Sequence, residues 1–177
     1  MKIVILDRDG VINFDSDQYI KSPDEWRPIP GSMEAIAQFT QAGFHVLVAT
    51  NQSGIGRGLF DMATLNAIHA KMHKAANQAG GRIEAVFYCP DTAESSSPCR
   101  KPAPGMFLAI AERFNTPLAR VPAIGDALRD LQAASAVGAL PILVRTGKGQ
   151  ATEVAGGLPQ GTLIYPDLAA VAQALCG

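Results

Sequence analysis

Ile3-Val4-Ile5-Leu6-Asp7-Arg8-Asp9-Gly10 is the stretch on which the fold turns. An apolar run ends abruptly in two aspartates two positions apart, and glycine follows. An unbroken aliphatic run suits a strand buried on both faces, as at the centre of a parallel sheet. The carboxylates then fall just past the strand's carboxyl end, where open α/β sheets keep their ligand crevices. A carboxylate there can attack an electrophile. A pair can bind a divalent cation and leave one member to move protons. Asp and Gly are also common turn residues, so a plain strand-ending turn reads these residues equally well.

Outward from this strand, strand-like and helix-like segments alternate. The polar stretch 13–30 reads as a long loop. Pro30-Gly31-Ser32 opens a helix, with Ser32 as N-cap and a stop at Gly43. Residues 44–49 and 83–88 read as strands, and Asp61 caps a helix between them that runs to about residue 79. Helices are expected at 104–114, 127–137 and 168–175, and strands at 121–124, 140–144 and 163–165. Segment 147–161 reads as loop, with room for a short helix. This alternation predicts right-handed βαβ units and a Rossmann-like, mainly parallel sheet flanked by helices. No repeat or linker divides the chain, so residues 1–177 are expected to form one domain.

Composition narrows the classes. Aliphatics outweigh aromatics, which suits a layered core of Val, Ile, Leu and Ala. The net charge of −1 offers no basic field for nucleic acid or an anionic membrane. No apolar run approaches the roughly 20 residues needed to span a bilayer, and the chain opens directly on a strand rather than a signal peptide. Cys89, Cys99 and Cys176 are too few for a disulfide framework, so reduced thiols in the cytoplasm are expected.

Four strand ends carry reactive side chains. The first supplies Asp7 and Asp9, and the second Thr50-Asn51-Gln52-Ser53-Gly54. The third leads through a loop to Arg100-Lys101-Pro102, and the fourth ends in Gly125-Asp126, with Asp130 after it. Ends of neighbouring parallel strands converge. Carboxylates, a hydroxyl and a cation brought together make a phosphoryl-transfer site, with Mg²⁺ balancing the acids.

Taken in order, these motifs resemble the haloacid dehalogenase superfamily of phosphatases over nearly the whole chain. Its first motif matches Asp7-Arg8-Asp9-Gly10-Val11, its second Thr50, its third Lys101, and its fourth the run from Gly125 to Asp130. Within it, the runs Thr50-Asn51-Gln52-Ser53-Gly54-Ile55-Gly56-Arg57-Gly58 and Cys99-Arg100-Lys101-Pro102 are similar to phosphatases of a sugar bisphosphate. Histidinol-phosphate phosphatases share the first and third elements but usually carry an acid where this chain has Ser53. The chain has no room for a separate cap domain, and loop insertions take its place.

The resemblance implies roles. Asp7 is the nucleophile and Asp9 the general acid and base. Asp7, the Asp9 carbonyl and Asp126 hold Mg²⁺, while Thr50 and Lys101 bind the transferring phosphoryl group. Arg100 meets a distal phosphate, and Asp15, Ser16, Asp17, Gln18, Asn51, Gln52 and Ser53 contact substrate. From the residues alone, Arg57, on a loop over the site, reads either as a further phosphate contact or as a solvated surface arginine. Asp130 either orients Lys101 or a metal-bound water, or is an exposed helical acid. The implied partner is a small phosphorylated sugar, with no nucleic acid or membrane, handled by a monomer. A phosphoacceptor signalling domain would share the acids, Thr and Lys, but its acceptor does not lie in an Asp-x-Asp pair at the first strand.

Relatives in this superfamily often carry a zinc loop of the form Cys-x-His, spacer, Cys-x-Cys-Arg-Lys-Pro. Here Cys89 and Cys99 remain, Asp91 stands at the His position and Ser97 at the third ligand position. Serine is a poor neutral donor, so zinc is not expected and the cysteines read as free thiols; a disulfide between them needs the loop to bring their Cα atoms within roughly 7 Å, and a cytosolic setting disfavours it. His69 and His73 lie four apart on a predicted helix with no acid motif beside them, and read as packing or surface residues. Trp26 reads as an anchor for the 13–30 loop.

Overall fold

The computed structural model describes residues 1–177. Strands β1 (Lys2–Leu6), β2 (Phe44–Asn51), β3 (Ile83–Cys89), β4 (Pro122–Gly125), β5 (Leu140–Val144) and β6 (Leu163–Tyr165) make one sheet. Their order is β3-β2-β1-β4-β5-β6, and every neighbouring pair is parallel. The chain builds outward from β1 to β2 and β3, then crosses to the other side for β4. The order therefore reverses between β1 and β4, and a crevice opens at their carboxyl ends.

The quoted run is central because both faces of β1 are covered. Val4 and Leu6 pack under α1 (Ser32–Gln41), α3 (Met62–Gln78) and α7 (Leu168–Cys176) through Ile36, Phe39, Ile68, Met72 and Val171. Ile3 and Ile5 face α4 (Gly105–Arg113) and α5 (Leu128–Ala136) through Met106, Phe107, Ile110, Ala133 and Ala134. Each fully buried Ile or Leu contributes about 1.5–3 kcal/mol. The alternation of side chains along a strand thus needs apolar residues at every position of β1.

Strand and helix positions follow the sequence reading closely, with local corrections. Ser32 is the first helical residue rather than the N-cap. Gly31 takes the cap at φ +89°, and the Ser32 hydroxyl donates instead to Ile12 O at 2.6 Å. A short helix, α2 (Ser53–Gly56), runs into the 54–58 segment, and the 147–161 segment holds α6 (Gly149–Ala155). Asp61 caps α3, accepting from Thr64 N at 2.9 Å. Trp26 is buried in the core under α1 and α3, anchoring the loop as expected. No helix is long and apolar enough to cross a membrane.

Candidate active site

The strand ends converge on a cleft of about 250 Å³, lined almost wholly by polar side chains. β1 delivers Asp7 and Asp9, β4 delivers Asp126, and the first turn of α5 delivers Asp130. Lys101 reaches in from the β3–α4 connection. It is almost fully buried, with Nζ 3.1 Å from Asp7 Oδ1, 2.8 Å from Asp130 Oδ1 and 2.7 Å from Ala49 O. Burial alone would lower the Lys101 pKa, but Asp130 and Asp7 outweigh it and hold the ammonium charged. Asp130 pairs with Lys101 inside the site, which sets aside the reading as an exposed helical acid. Its Oδ2 accepts from Ala127 N at 3.1 Å, and it is buried. Asn51 locks the backbone that carries Lys101, accepting from Lys101 N at 3.0 Å and donating to Lys101 O at 3.2 Å.

The acids are suited to a cation. Ligand oxygens of Asp7, Asp126 and Asp130 lie within 4.8 Å of one another. Burial and the Asp130 charge push Asp7 well above the carboxylate range, against the pull of Lys101. Burial and Asp130 also push Asp126 up to about 7. Two glycines make the room. A Cβ on Gly10 (φ +85°) or on Gly147 (φ +58°) would overlap the Asp126 carboxylate. The Asp9 carbonyl accepts no hydrogen bond from the protein. Two acidic side chains, an unspent carbonyl and glycine-walled space fit a divalent cation with oxygen preference, as Mg²⁺ has.

This electrostatic arrangement has a testable consequence. Between pH 3.8 and about 7, Asp126 keeps its proton in the folded protein but loses it on unfolding. The folded state then binds more protons, so metal-free stability falls as pH rises through that window. Mg²⁺ relieves the repulsion but must compete with the proton. Its stabilising effect, read as the rise in Tm at fixed Mg²⁺, is expected to be larger at pH 8 than at pH 6. An equal or reversed effect would show that these carboxylates do not hold the metal.

The rim is cationic. Arg100 lines the cleft with Arg129 and Lys148. Burial and the charges of Arg129 and Arg57 press the Arg100 pKa down from its usual value, so an anion placed there would relieve like-charge repulsion. Lys148 also donates its N–H to Asp126 Oδ2 at 2.9 Å, and its ammonium lies 3.7 Å from Asp15 and 3.8 Å from Asp17.

Of the residues expected to meet substrate, Asp15, Ser16, Asp17, Asn51, Gln52, Ser53 and Arg100 line the cleft. Gln18 and Arg57 do not. Arg57 is held on the surface by Glu94 at 3.3 Å, and Tyr19 and Ile20 take the place that Gln18 was expected to fill. Thr50 lies just beneath the cleft floor, its Oγ1 accepting from Gln52 Nε2 at 2.9 Å. Arg129 and Lys148 escaped the sequence reading. An isolated basic residue after a helix start or strand end carries no motif, and only its placement over the cleft marks it.

Cys89 and Cys99 correct another expectation: they are disulfide-bonded, not free thiols. The 89–99 loop returns on itself, bringing their Cα atoms to 5.8 Å, within bridging reach. Asp91 and Ser97 cluster around the two sulfurs, so the four positions of the relatives' zinc loop still meet, with both thiols engaged by each other.

Residues 2–132 match the family model described as polynucleotide kinase 3 phosphatase, and residues 98–171 match the HAD-hydrolase-like model. The chain is 59% identical to the D-glycero-beta-D-manno-heptose-1,7-bisphosphate 7-phosphatase of Bordetella bronchiseptica, covering 99% of this chain and 98% of that one. It is 54% identical to the enzyme of the same name from Pseudomonas putida, covering 99% of each. A crystal structure of the D,D-heptose 1,7-bisphosphate phosphatase from B. bronchiseptica, complexed with magnesium and phosphate, superimposes with a TM-score of 0.98 at 59% identity, covering 99% of this chain and 98% of that one.

Proposed function

This chain belongs to the haloacid dehalogenase-like hydrolases, in the family of the D-glycero-beta-D-manno-heptose-1,7-bisphosphate 7-phosphatases, and from that premise we propose that it removes the 7-phosphate of that sugar, a step in building the lipopolysaccharide core. The observation that carries the reading is the juxtaposition of Asp7, Lys101 and Asp126 under a rim of Arg100, Arg129 and Lys148. One phosphate fits against the acids and metal, and the other against the distal cations.

Asp7 attacks phosphorus and the bond to the sugar oxygen breaks. Asp9, as the carboxylic acid, gives its proton to that oxygen, and an aspartyl-phosphate remains on Asp7. Asp9, now a carboxylate, takes a proton from water as the water attacks phosphorus. The bond to Asp7 breaks and inorganic phosphate leaves. Lys101 stabilises the phosphoryl oxygens, and Thr50 supports the floor beneath them. Mg²⁺, held by Asp7, Asp126 and the Asp9 carbonyl, supplies charge neutralisation of the phosphoryl group when bound. By the same reading the chain acts as a single domain and a monomer, in the cytoplasm, on a small sugar rather than on nucleic acid or a membrane. The net charge of −1 supports the last point.

The decisive assay compares wild-type kcat/KM on the heptose bisphosphate and on histidinol phosphate. A preference for histidinol phosphate would overturn the substrate and leave phosphatase chemistry standing. Arg100→Ala refines it. Loss of a charge-assisted contact is typically worth about 1.5–3 kcal/mol, or one to two powers of ten in kcat/KM. That loss is expected on the bisphosphate, chiefly through KM, and much less on a small monophosphate that never reaches the rim. Equal losses on both would remove Arg100 from distal-phosphate recognition.

A further inference from the structure

The Asp7-Arg8-Asp9 motif has a middle residue whose side chain is wholly buried. Its guanidinium does not face the phosphate cleft. Arg8 Nε donates to Asp9 Oδ1 at 2.9 Å, and Arg8 Nη2 donates to Gln52 Oε1 at 3.3 Å. Arg8 Nη1 meets His69 Nε2 at 3.1 Å, reaching the middle of α3. Gln52 turns back, giving Nε2 to Asp9 Oδ2 at 3.1 Å, and Asn13 Nδ2 donates to Asp9 Oδ1 at 2.9 Å. Both oxygens of Asp9 are thus fixed, and the group that aims them is itself fixed by a histidine on a helix outside the cleft.

The chemistry assigns the histidine's form. Arginine has five N–H donors and no acceptor, so His69 Nε2 must accept, and the ring is neutral with its proton on Nδ1. Burial and the Arg8 charge pull the His69 pKa down to about 3, in keeping with that form. A buried guanidinium beside a single carboxylate needs neutral acceptors for its remaining N–H groups, and His69 and Gln52 are the ones present.

We propose that His69 is a positioning residue for phosphoryl transfer, holding Arg8 so that the Asp9 carboxyl stays aimed at the leaving sugar oxygen. This rests on the reading of Asp9 as the proton donor given above. Oδ1 carries two donated bonds and Oδ2 one, which leaves Oδ2 the oxygen with room for the transferable proton. Without His69, Arg8 loses one of its anchors, and Asp9 samples rotamers that miss the leaving group. Binding of substrate at the rim is untouched.

The test uses the Mg²⁺-loaded enzyme and three substitutions, His69→Leu, His69→Gln and His69→Asn. Gln can place an acceptor near the position of Nε2, whereas Asn reaches only the Nδ1 position and Leu offers none. Two substrates are compared through kcat/KM, which reads only the steps up to departure of the leaving group. From the sugar bisphosphate the leaving group is a sugar alkoxide, which needs a proton. From p-nitrophenyl phosphate it is p-nitrophenolate, a stable anion that needs none. General acid catalysis is typically worth 10²–10⁴-fold, and mis-aiming the acid forfeits part of it. For Leu and Asn, kcat/KM on the sugar bisphosphate is expected to fall about tenfold, and on p-nitrophenyl phosphate less than about twofold, while Gln returns to within about threefold of wild type. Equal losses on both substrates, no loss on the sugar, or Gln no better than Asn would overturn the proposal. Should Leu fail to give a cooperative melt, the Gln and Asn pair, both polar, carries the comparison. Asp9→Asn separates the two layers. Turnover surviving in it removes the proton-donor role itself, whereas a dead Asp9→Asn with unchanged His69 variants removes only the relay.

Discussion

Asp7→Asn is expected to lower turnover by about four orders of magnitude or more while the protein still folds. An amide oxygen does not displace the sugar from phosphorus, so neither the aspartyl-phosphate nor its hydrolysis follows, and a metal ligand loses its charge. The fold should survive because the native carboxylate is itself poorly placed in the metal-free protein. Burial, Asp130 and Asp126 all raise its pKa, and only Lys101 opposes them. A neutral isostere removes that repulsion and leaves Lys101 paired with Asp130 at 2.8 Å. The metal-free variant should therefore melt at or above the wild-type Tm, and Mg²⁺ should stabilise it less. Phosphate release assays and calorimetry read both. Turnover above about one per cent of wild type would rule out Asp7 as the nucleophile, since removing an attacking group typically leaves far less.

How much of this was legible beforehand depended on range. β1 and the N-cap at Asp61 follow from patterns within a few residues, an apolar run meeting polar punctuation or an acid before a helical period. The convergence of Asp7, Asp126 and Lys101 was legible because parallel strands carry their ends to one edge, so position in the strand order suffices. Contacts decided by side-chain direction were not legible. Arg8 sits between two site acids and would be expected to share their cleft, yet it turns away into the interior. His69 reads as one more packing histidine on an amphipathic helix, and nothing near it in the chain announces a guanidinium 61 residues distant. Ser32 carries an N-cap signature but gives its hydroxyl to Ile12 O, because the returning 13–30 loop offers an acceptor that no local rule foresees. The Cys89–Cys99 bond depends in the same way on how far the loop between two cysteines ten positions apart folds back.

Lys101→Met should also be severe, though less so than the loss of the nucleophile, and for a different reason. Removing one preorganised donor from a developing oxyanion typically lowers kcat by about 10²–10³. Lys101 acts on the transferring group, so the loss should appear on the bisphosphate and on a small monophosphate alike. This separates it from Arg100, whose effect belongs to the bisphosphate. Lys101 also has a structural load, since Asp7 and Asp130 both lean on its buried ammonium. Breaking a buried pair from one side typically costs about 3–5 kcal/mol, because the remaining charge is left uncompensated. Here Asp7, which burial and the Asp130 charge already push well above its ordinary value, can take up a proton instead, so the cost should shrink as pH falls and grow as it rises. Adding Asp7→Asn to Lys101→Met should recover much of the melting temperature and none of the turnover, as expected for residues sharing one charge network. Additive losses in Tm would mean that Lys101 and Asp7 are not coupled in the folded protein. A kcat reduced for the bisphosphate alone would move Lys101 from the reacting phosphate to the distal one.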